Sequence, residues 1–352
     1  MTESVECLIV GAGPAGLRAA EVLAAGGREV LVVERHDTVG PKVCAGGLTR
    51  RSVREMGIAD DAGSLRVPSV TGIAHISFRT TQAAAPLDDE LAIVSTVSRT
   101  NLGAWQLARV RATGAVVQTG VAVTQFDFPA RTARVGALRI RYRYLIGADG
   151  ADSGVRRALG LASPRAMFAG EFNVPGKREE PLYVACNDDA LENGYWWIFP
   201  HVDYTSIGAI APKRLVAPST LRKVVERAAA TRGVSLDGVP FEGATLEVEY
   251  RGVNFPHGVH LVGDAAGLPS AWTGEGIYPA IVSGEEVARS ILEPTFPMLK
   301  LRRWLQTKRV HSACLALLAR RRARGAAYLA AARAVIGQPL IRRAMTWLLT
   351  AG

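Results

Sequence analysis

Acidic side chains are missing from the last 59 residues of this 352-residue chain, Pro294 to Gly352, which hold twelve Lys or Arg. The first 293 residues carry 30 basic and 32 acidic groups, so the net charge of +10 belongs to the tail. Such a block is either a solvated helical face or a surface for an anionic partner. Cysteine is scarce: Cys7, Cys44, Cys186 and Cys314 stand far apart with no C-x-x-C pair. That spacing suggests neither a zinc site nor a disulfide framework, and it fits a reducing cytosol. No uninterrupted run of about 18 apolar residues occurs, which argues against a membrane span. Glu3 and Glu6 stand where a secretory leader needs positive charge, so export is not expected. No repeat or low-complexity linker divides the chain. Hydrophobic residues make up 48%, enough for one large domain or two interlocked ones.

What is present begins with an apolar run, Cys7 to Val10, that reads as a buried parallel strand. It breaks at Gly11-x-Gly13-x-x-Gly16 and passes through Pro14 and Ala15 into an Ala- and Leu-rich helix over about 14–26. A second apolar strand, Val30–Val33, ends at Glu34-Arg35. Gly11 allows a tight turn, Gly13 admits a pyrophosphate, and Gly16 lets helix and strand pack closely. The helix N-terminus offers N–H groups and partial positive charge to phosphates. Glu34, 23 positions after Gly11, stands where a carboxylate meets an adenosine ribose. Strand, glycines, helix, strand and acid in one register predict a dinucleotide site.

Further along, 51–65 reads as helical, and 72–79 and 91–95 alternate like strands. Ser98-Arg99 opens a helix, and 116–126 and 133–142 pattern as strands. Two more strand-to-turn units follow, Leu145 to Gly150 and Val259 to Gly267. Between them, 182–185, 195–199 and 205–211 have β character and 221–231 is helical; a last helix spans 280–292. The expected fold is α/β, an FAD-type Rossmann-like domain interrupted by a mixed β-sheet substrate domain, with a basic helical tail. Its bounds are 1–65, 96–165 and 245–293 for the first domain, 66–95 and 166–244 for the second, and 294–352 for the tail.

Three motifs in this order, Gly11-x-Gly13-x-x-Gly16, Gly147-x-Asp149-Gly150 and Gly263-Asp264, resemble the single-FAD-domain flavoproteins of the p-hydroxybenzoate hydroxylase fold. Cys44-Ala45-Gly46-Gly47 and Tyr195-x-Trp197-x-Phe199-Pro200 are similar to signatures of the geranylgeranyl reductase family, whose longer motif has proline where this chain has Glu192. The resemblance implies resident FAD and saturation of prenyl double bonds by hydride from reduced flavin N5, with NAD(P)H or another donor reducing the flavin. Asp264 at a strand end can bind ribityl hydroxyls, and the amides of Gly274, Gly276 and Ile277 could stabilise charge on a reduced flavin. Arg99 suits the phosphate or ribose region, or a surface ion pair. Asp149 either braces its turn as a cap or touches the cofactor.

Alternation puts Tyr195, Trp197 and Phe199 on one face of their strand, either a wall for an apolar chain or plain sheet core. Gly47 and Trp272 join them as expected substrate contacts. Cys44 is either a small buried hydrophobe or a shaper or source of the proton that alkene reduction needs, with Tyr278 and ordered water as rivals. The alternative chemistry is a flavin monooxygenase or halogenase using a flavin hydroperoxide; a third reading is a non-catalytic FAD-binding or electron-transfer module. Lys42, which a halogenase reading would invoke, is expected to be solvated. The tail reads as three short helices with Lys300, Arg302, Arg303, Lys308 and Arg309 mostly off the apolar face, docked on the body or bound to an anionic membrane at the inner face. Nucleic acid is not expected, since no motif accompanies the charge; oligomeric state stays open.

Overall fold

The computed structural model describes residues 2–58, 69–72, 75–77, 85–86, 94–161, 165–176, 182–185 and 189–322. Apolar runs set the first layer: Cys7 to Val10, Val32, Val33, Leu145 and Ile146 are all buried. Strand Thr2–Val10 pairs in parallel with Val30–Val33 on one side and Leu138–Gly147 on the other. The sheet extends in parallel to Val116–Gln118 and to Val259–Leu261. Register sets Val10 opposite both Val33 and Gly147, and Gly147 opposite Leu261. Four strands thus end on one line, and ligands of such sheets bind outside those carboxyl ends.

Helix α1 (Pro14–Ala25) buries Leu17, Ala19, Ala20 and Leu23 against the sheet. Next come α2 (Arg50–Met56), α3 (Arg99–Ala112) and the short α4 (Gly154–Ala158). Helix α5 (Pro218–Ala230) covers one face of a second, mostly antiparallel sheet, where Leu221, Val224 and Val225 meet Phe172, Ile198 and Ile207. That sheet runs Phe241–Glu247, Ala166–Pro175, Tyr204–Pro212, Tyr195–Pro200, Tyr183–Ala185, His75–Ser77, Ala85–Pro86. Its other face, with Met167, Trp197, Phe199 and Ile210, packs on Ala45 and Val94. Helix α6 (Ile277–Leu292) crosses α1 closely, because Gly284 presents no Cβ to the Ala15 carbonyl it would strike. Helix α7 (Leu299–Arg322) completes the described chain.

Local punctuation explains where the structure departs from the sequence pattern. The helix expected over 51–65 ends at Gly57, whose φ of 62° makes a left-handed cap, and residues 59–68 lie outside the described residues. The strand expected over 116–126 is two, Val116–Gln118 and Val123–Asp127, separated at Gly120 with φ 73°. The one expected over 133–142 is a hairpin, Thr132–Val135 and Leu138–Gly147, turning at Gly136. A domain boundary at 244 falls inside strand Phe241–Glu247, which pairs along its whole length with Ala166–Pro175. A small third sheet, Gly47–Thr49, Val94–Val97 and Ser69–Gly72, was not anticipated.

The tail also differs. No glycine or proline interrupts 299–322, and this segment forms one helix where the first of the expected tail helices lies. It docks on the body: Leu301 and Trp304 are buried, and so is Lys308, which overturns its placement on the polar side. Arg302, Arg303 and Arg309 are exposed. Residues 323–352, with Arg324 and the expected Ile341, Met345 and Leu348 face, lie outside the described residues. Among the described residues no helix is long and apolar enough to cross a membrane. Replacing Gly284 with Val should destabilise the protein by about 1–3 kcal/mol through overpacking of α1 on α6, measured by urea unfolding.

Candidate active site at the strand ends

The three glycines of the first turn meet different surroundings. A Cβ on Gly11 (φ 102°) would approach Ala148 O at 2.5 Å, and one on Gly16 would strike Gly11 O. A Cβ on Gly13 would meet nothing within 4 Å, and its φ of −76° suits any residue. Gly11 and Gly16 therefore serve the fold, while Gly13 faces an open cradle. No side chain caps the first turn of α1 at Pro14, Ala15 and Gly16, and no acid lies in it. Glu34 at the next strand end accepts the Ala12 N–H at 2.8 Å and the His36 N–H at 3.0 Å, while Arg35 turns to His36 on the surface.

At the second turn, Asp149 is occupied by α4: it accepts from Ser153 Oγ at 2.5 Å and from the amides of Gly154 and Val155 at 2.7 and 3.1 Å. This bracing favours the capping role over direct contact. Arg156, buried at 3% exposure, donates to the Ala265 carbonyl at 3.2 Å and to Ala151, tying the second turn to the third. Its strand-side partner is Glu247, 3.5 Å away. The third turn carries Gly263 and Asp264, and Asp264 pairs with Lys42 at 2.9 Å. Lys42 is thus not simply solvated. Arg99 is buried at the start of α3, and its Nε has no hydrogen-bond partner among the described residues.

The loop 44–47 runs between these turns and the second sheet. A Cβ on Gly46 (φ 73°) would approach Val97 O at 2.5 Å, and one on Gly47 would reach the Phe199 ring at 2.8 Å. Cys44 packs against the cluster of Leu48, Val97, Leu102, Ile277 and Ile281, whereas Ala45 packs against that of Trp197 and Phe199. The rings of Tyr195, Trp197 and Phe199 follow one another at 6.1 and 6.5 Å on one face. Tyr195 donates its hydroxyl proton to Thr273 O at 2.8 Å, beside Gly274.

Beneath the loop lies a cluster that the motifs did not reveal. Glu171, 1% exposed, accepts the Cys44 N–H at 2.9 Å and the Ser206 hydroxyl at 2.7 Å; Ser206 in turn accepts from Trp197 Nε1 at 2.8 Å. Burial holds the Glu171 carboxyl above its ordinary range despite these donors. His201 bonds Ala45 O through Nε2 at 3.0 Å and stacks on Tyr204; burial drops its pKa to about 4, so it is a neutral imidazole. The available signal was a lone acid in the apolar run Ala166 to Val174.

Two expected residues face elsewhere. Tyr278 lies beneath the Arg51 guanidinium at 4.6 Å and edge-on to Trp304, in a different cluster from Cys44 and Ile277. Trp272 turns its ring to His311 of α7 at 5.4 Å. Gly276 faces Asp264, with Oδ1 at 3.6 Å from where its Cβ would stand.

A model of the FAD-binding domain matches residues 4–293, the whole span of these turns. The chain belongs to this FAD-binding family. It is an FAD-dependent oxidoreductase. The digeranylgeranylglycerophospholipid reductase 1 of Methanopyrus kandleri is 27% identical over 82% of this chain and 81% of its own. The geranylgeranyl diphosphate reductase of Rhodobacter capsulatus is 28% identical over 82% of this chain and 75% of its own. The family resemblance read from the motifs is thereby borne out. A geranylgeranyl bacteriochlorophyll reductase-like protein from Thermoplasma acidophilum shares the fold, with TM-score 0.71 at 21% identity over 91% of this chain and 88% of that one. The open Gly13 cradle and the unpartnered Arg99 Nε fit an anionic dinucleotide such as FAD.

Gly13→Ala should keep the melting temperature of the FAD-free protein and lose FAD binding, because the new methyl enters only the cradle; retained flavin absorbance would contradict this. Glu171 binds its proton more tightly folded than unfolded, so its contribution is full below about 4.5 and lost as pH rises through the folded value. Relative to wild type, Glu171→Gln should therefore gain melting temperature progressively as pH rises above 4.5.

Proposed function

We propose that the protein saturates C=C bonds of a prenyl, geranylgeranyl-type or similar apolar chain. The observation that carries this reading is the loop 44–47, packed by Cys44 against the cluster that contains Ile277 and Ile281 and by Ala45 against that of the Trp197 and Phe199 strip. An apolar chain lying along that strip would meet the flavin edge at the loop, and the names of the two relatives support such a substrate. Bound and reduced, by NAD(P)H or another donor, FAD supplies the hydride.

The chain's own residues supply the rest. Gly11, Gly13, Pro14, Ala15 and Gly16 would hold the pyrophosphate, with Arg99 adding charge and Glu34 with Arg35 facing the adenosine ribose. Gly263 and Asp264 would bind the ribityl chain, Asp149 would brace the turn beside it, and Ala45 and Gly46 would let backbone pass the ring. The Gly274, Gly276 and Ile277 amides at the α6 N-terminus would favour negative charge there. Tyr195, Trp197, Phe199 and Gly47 would line the substrate side. Beside that hydride, the Cys44 thiol would give its proton to the other alkene carbon, and water would restore the thiol.

With the flavin reduced without oxygen and a geranylgeranyl lipid added, mass spectrometry should show a gain of about two mass units per double bond, one hydride and one proton. A product carrying oxygen or halogen after air is admitted would point instead to a monooxygenase or halogenase. Cys44→Ala should keep FAD and lower turnover by about 100-fold or more; full turnover would remove the thiol from the proton step.

A further inference from the structure

Helix α7 lies beyond the residues matched by the family model, yet three of its side chains reach one short loop of the candidate site. Trp304 Nε1 donates to the Leu268 carbonyl at 2.9 Å. Lys308 Nζ donates to the Pro269 carbonyl and, at 2.7 Å, to that of Val248. His311 Nδ1 meets Ser270 Oγ at 2.9 Å. All three are buried, at 2, 7 and 1% exposure, and their spacing puts them on one stripe of the helix.

The loop also carries bonds of its own, and Tyr195 donates to Thr273 O at its far end. Gly267 N–H returns to Asp264 O, Ser270 N–H bonds Glu275 O, and Gly274 N–H bonds Ser270 O, each at about 3.0 Å. Ser270 Oγ also accepts the amides of Trp272 and Thr273 at 3.2 Å. Glu275 is fixed from the other side by Arg51, whose guanidinium lies 4.8 Å from the Trp304 ring. At the head of α7, buried Glu286 of α6 accepts the Lys300 and Leu301 amides at 3.0 and 2.7 Å.

We propose that Trp304, Lys308 and His311 are positioning residues for the cofactor. Through them α7 holds loop 267–276, and hence Asp264, Gly274, Gly276 and the N-terminus of α6, in the shape that receives the flavin end of FAD. This rests on the placement of FAD given above, not on the prenyl substrate. The buried ammonium has a place on the inner side of the helix because it meets the Val248 and Pro269 carbonyls as a charge-assisted donor. Around it stand Glu247 and Asp264, which attract it, Arg156 bound to Glu247, and His311 three residues on. Burial lowers its pKa to about 8, so the cation is present at neutral pH and lost as pH rises through that value.

The test measures the FAD dissociation constant of the full-length protein by flavin fluorescence, below its melting temperature. Lys308→Met and His311→Ala should each raise it ~10-fold or more. Trp304→Phe, which keeps the ring and deletes one donor, should raise it about 3-fold and covers the case in which the Lys308→Met variant does not fold. Wild-type affinity should weaken as pH rises through about 8, and Lys308→Met should be flat there. Exposed Arg303→Ala should match wild type. Unchanged affinity in folded Trp304 and His311 variants would overturn the proposal, since a helix that only stabilised the body would move melting temperature alone. Undiminished FAD binding by Gly13→Ala would overturn it too, but through the placement of the cofactor.

Discussion

Parallel register is the constraint on which the molecule depends. Because Val10 lies opposite Val33 and Gly147, and Gly147 opposite Leu261, four loops that begin at points spread from residue 10 to residue 261 leave the sheet at one level. The spacing holds only if the turns pass each other without side chains, which Gly11 and Gly16 secure against Ala148 and each other. Glu34, Asp149 and Asp264 then inherit their positions from strand ends. A loop there needs little order of its own, since the buried strands behind it supply it.

Buried charges connect these loops to one another. Arg156, Glu171 and Lys308 each sit in surroundings that penalise an isolated charge by several kcal/mol, so each survives only with partners. Arg156 answers carbonyls of two turns, Glu171 an amide of the 44–47 loop and a hydroxyl of the second sheet, and Lys308 two carbonyls beside the α6 turn. Each lies between elements that the hydrophobic effect alone would leave free to slide. Apolar packing brings the layers together; directional bonds to these few groups set the register between them.

The aromatic strand shows how one period serves two purposes. Trp196 and Ile198 fill the core under α5, while Tyr195, Trp197 and Phe199 on the opposite face meet the 44–47 loop. Two-residue alternation makes this division obligatory once the strand pairs on both sides.

Much of this was legible in the chain before any coordinate. Strand, glycine, helix and acid at 5–35 state a βαβ turn by local chemistry alone, because apolar runs, helix starts and glycine turns act over a few residues. The same holds for the alternating face of 195–199 and for α5. Boundaries failed where one glycine, at 57, 120 or 136, ended an element that periodicity would have continued. Partners were not legible where they lie far along the chain: Tyr278 turns to Trp304, Trp272 to His311, Lys42 to Asp264, and Lys308 inward. Sequence by itself determined the family, the cofactor and the first strand–turn–helix unit. Only the tertiary structure decided which carboxylate supports the Cys44 loop and which cation reaches the turn before α6, since such pairings depend on how whole layers pack and leave no local pattern.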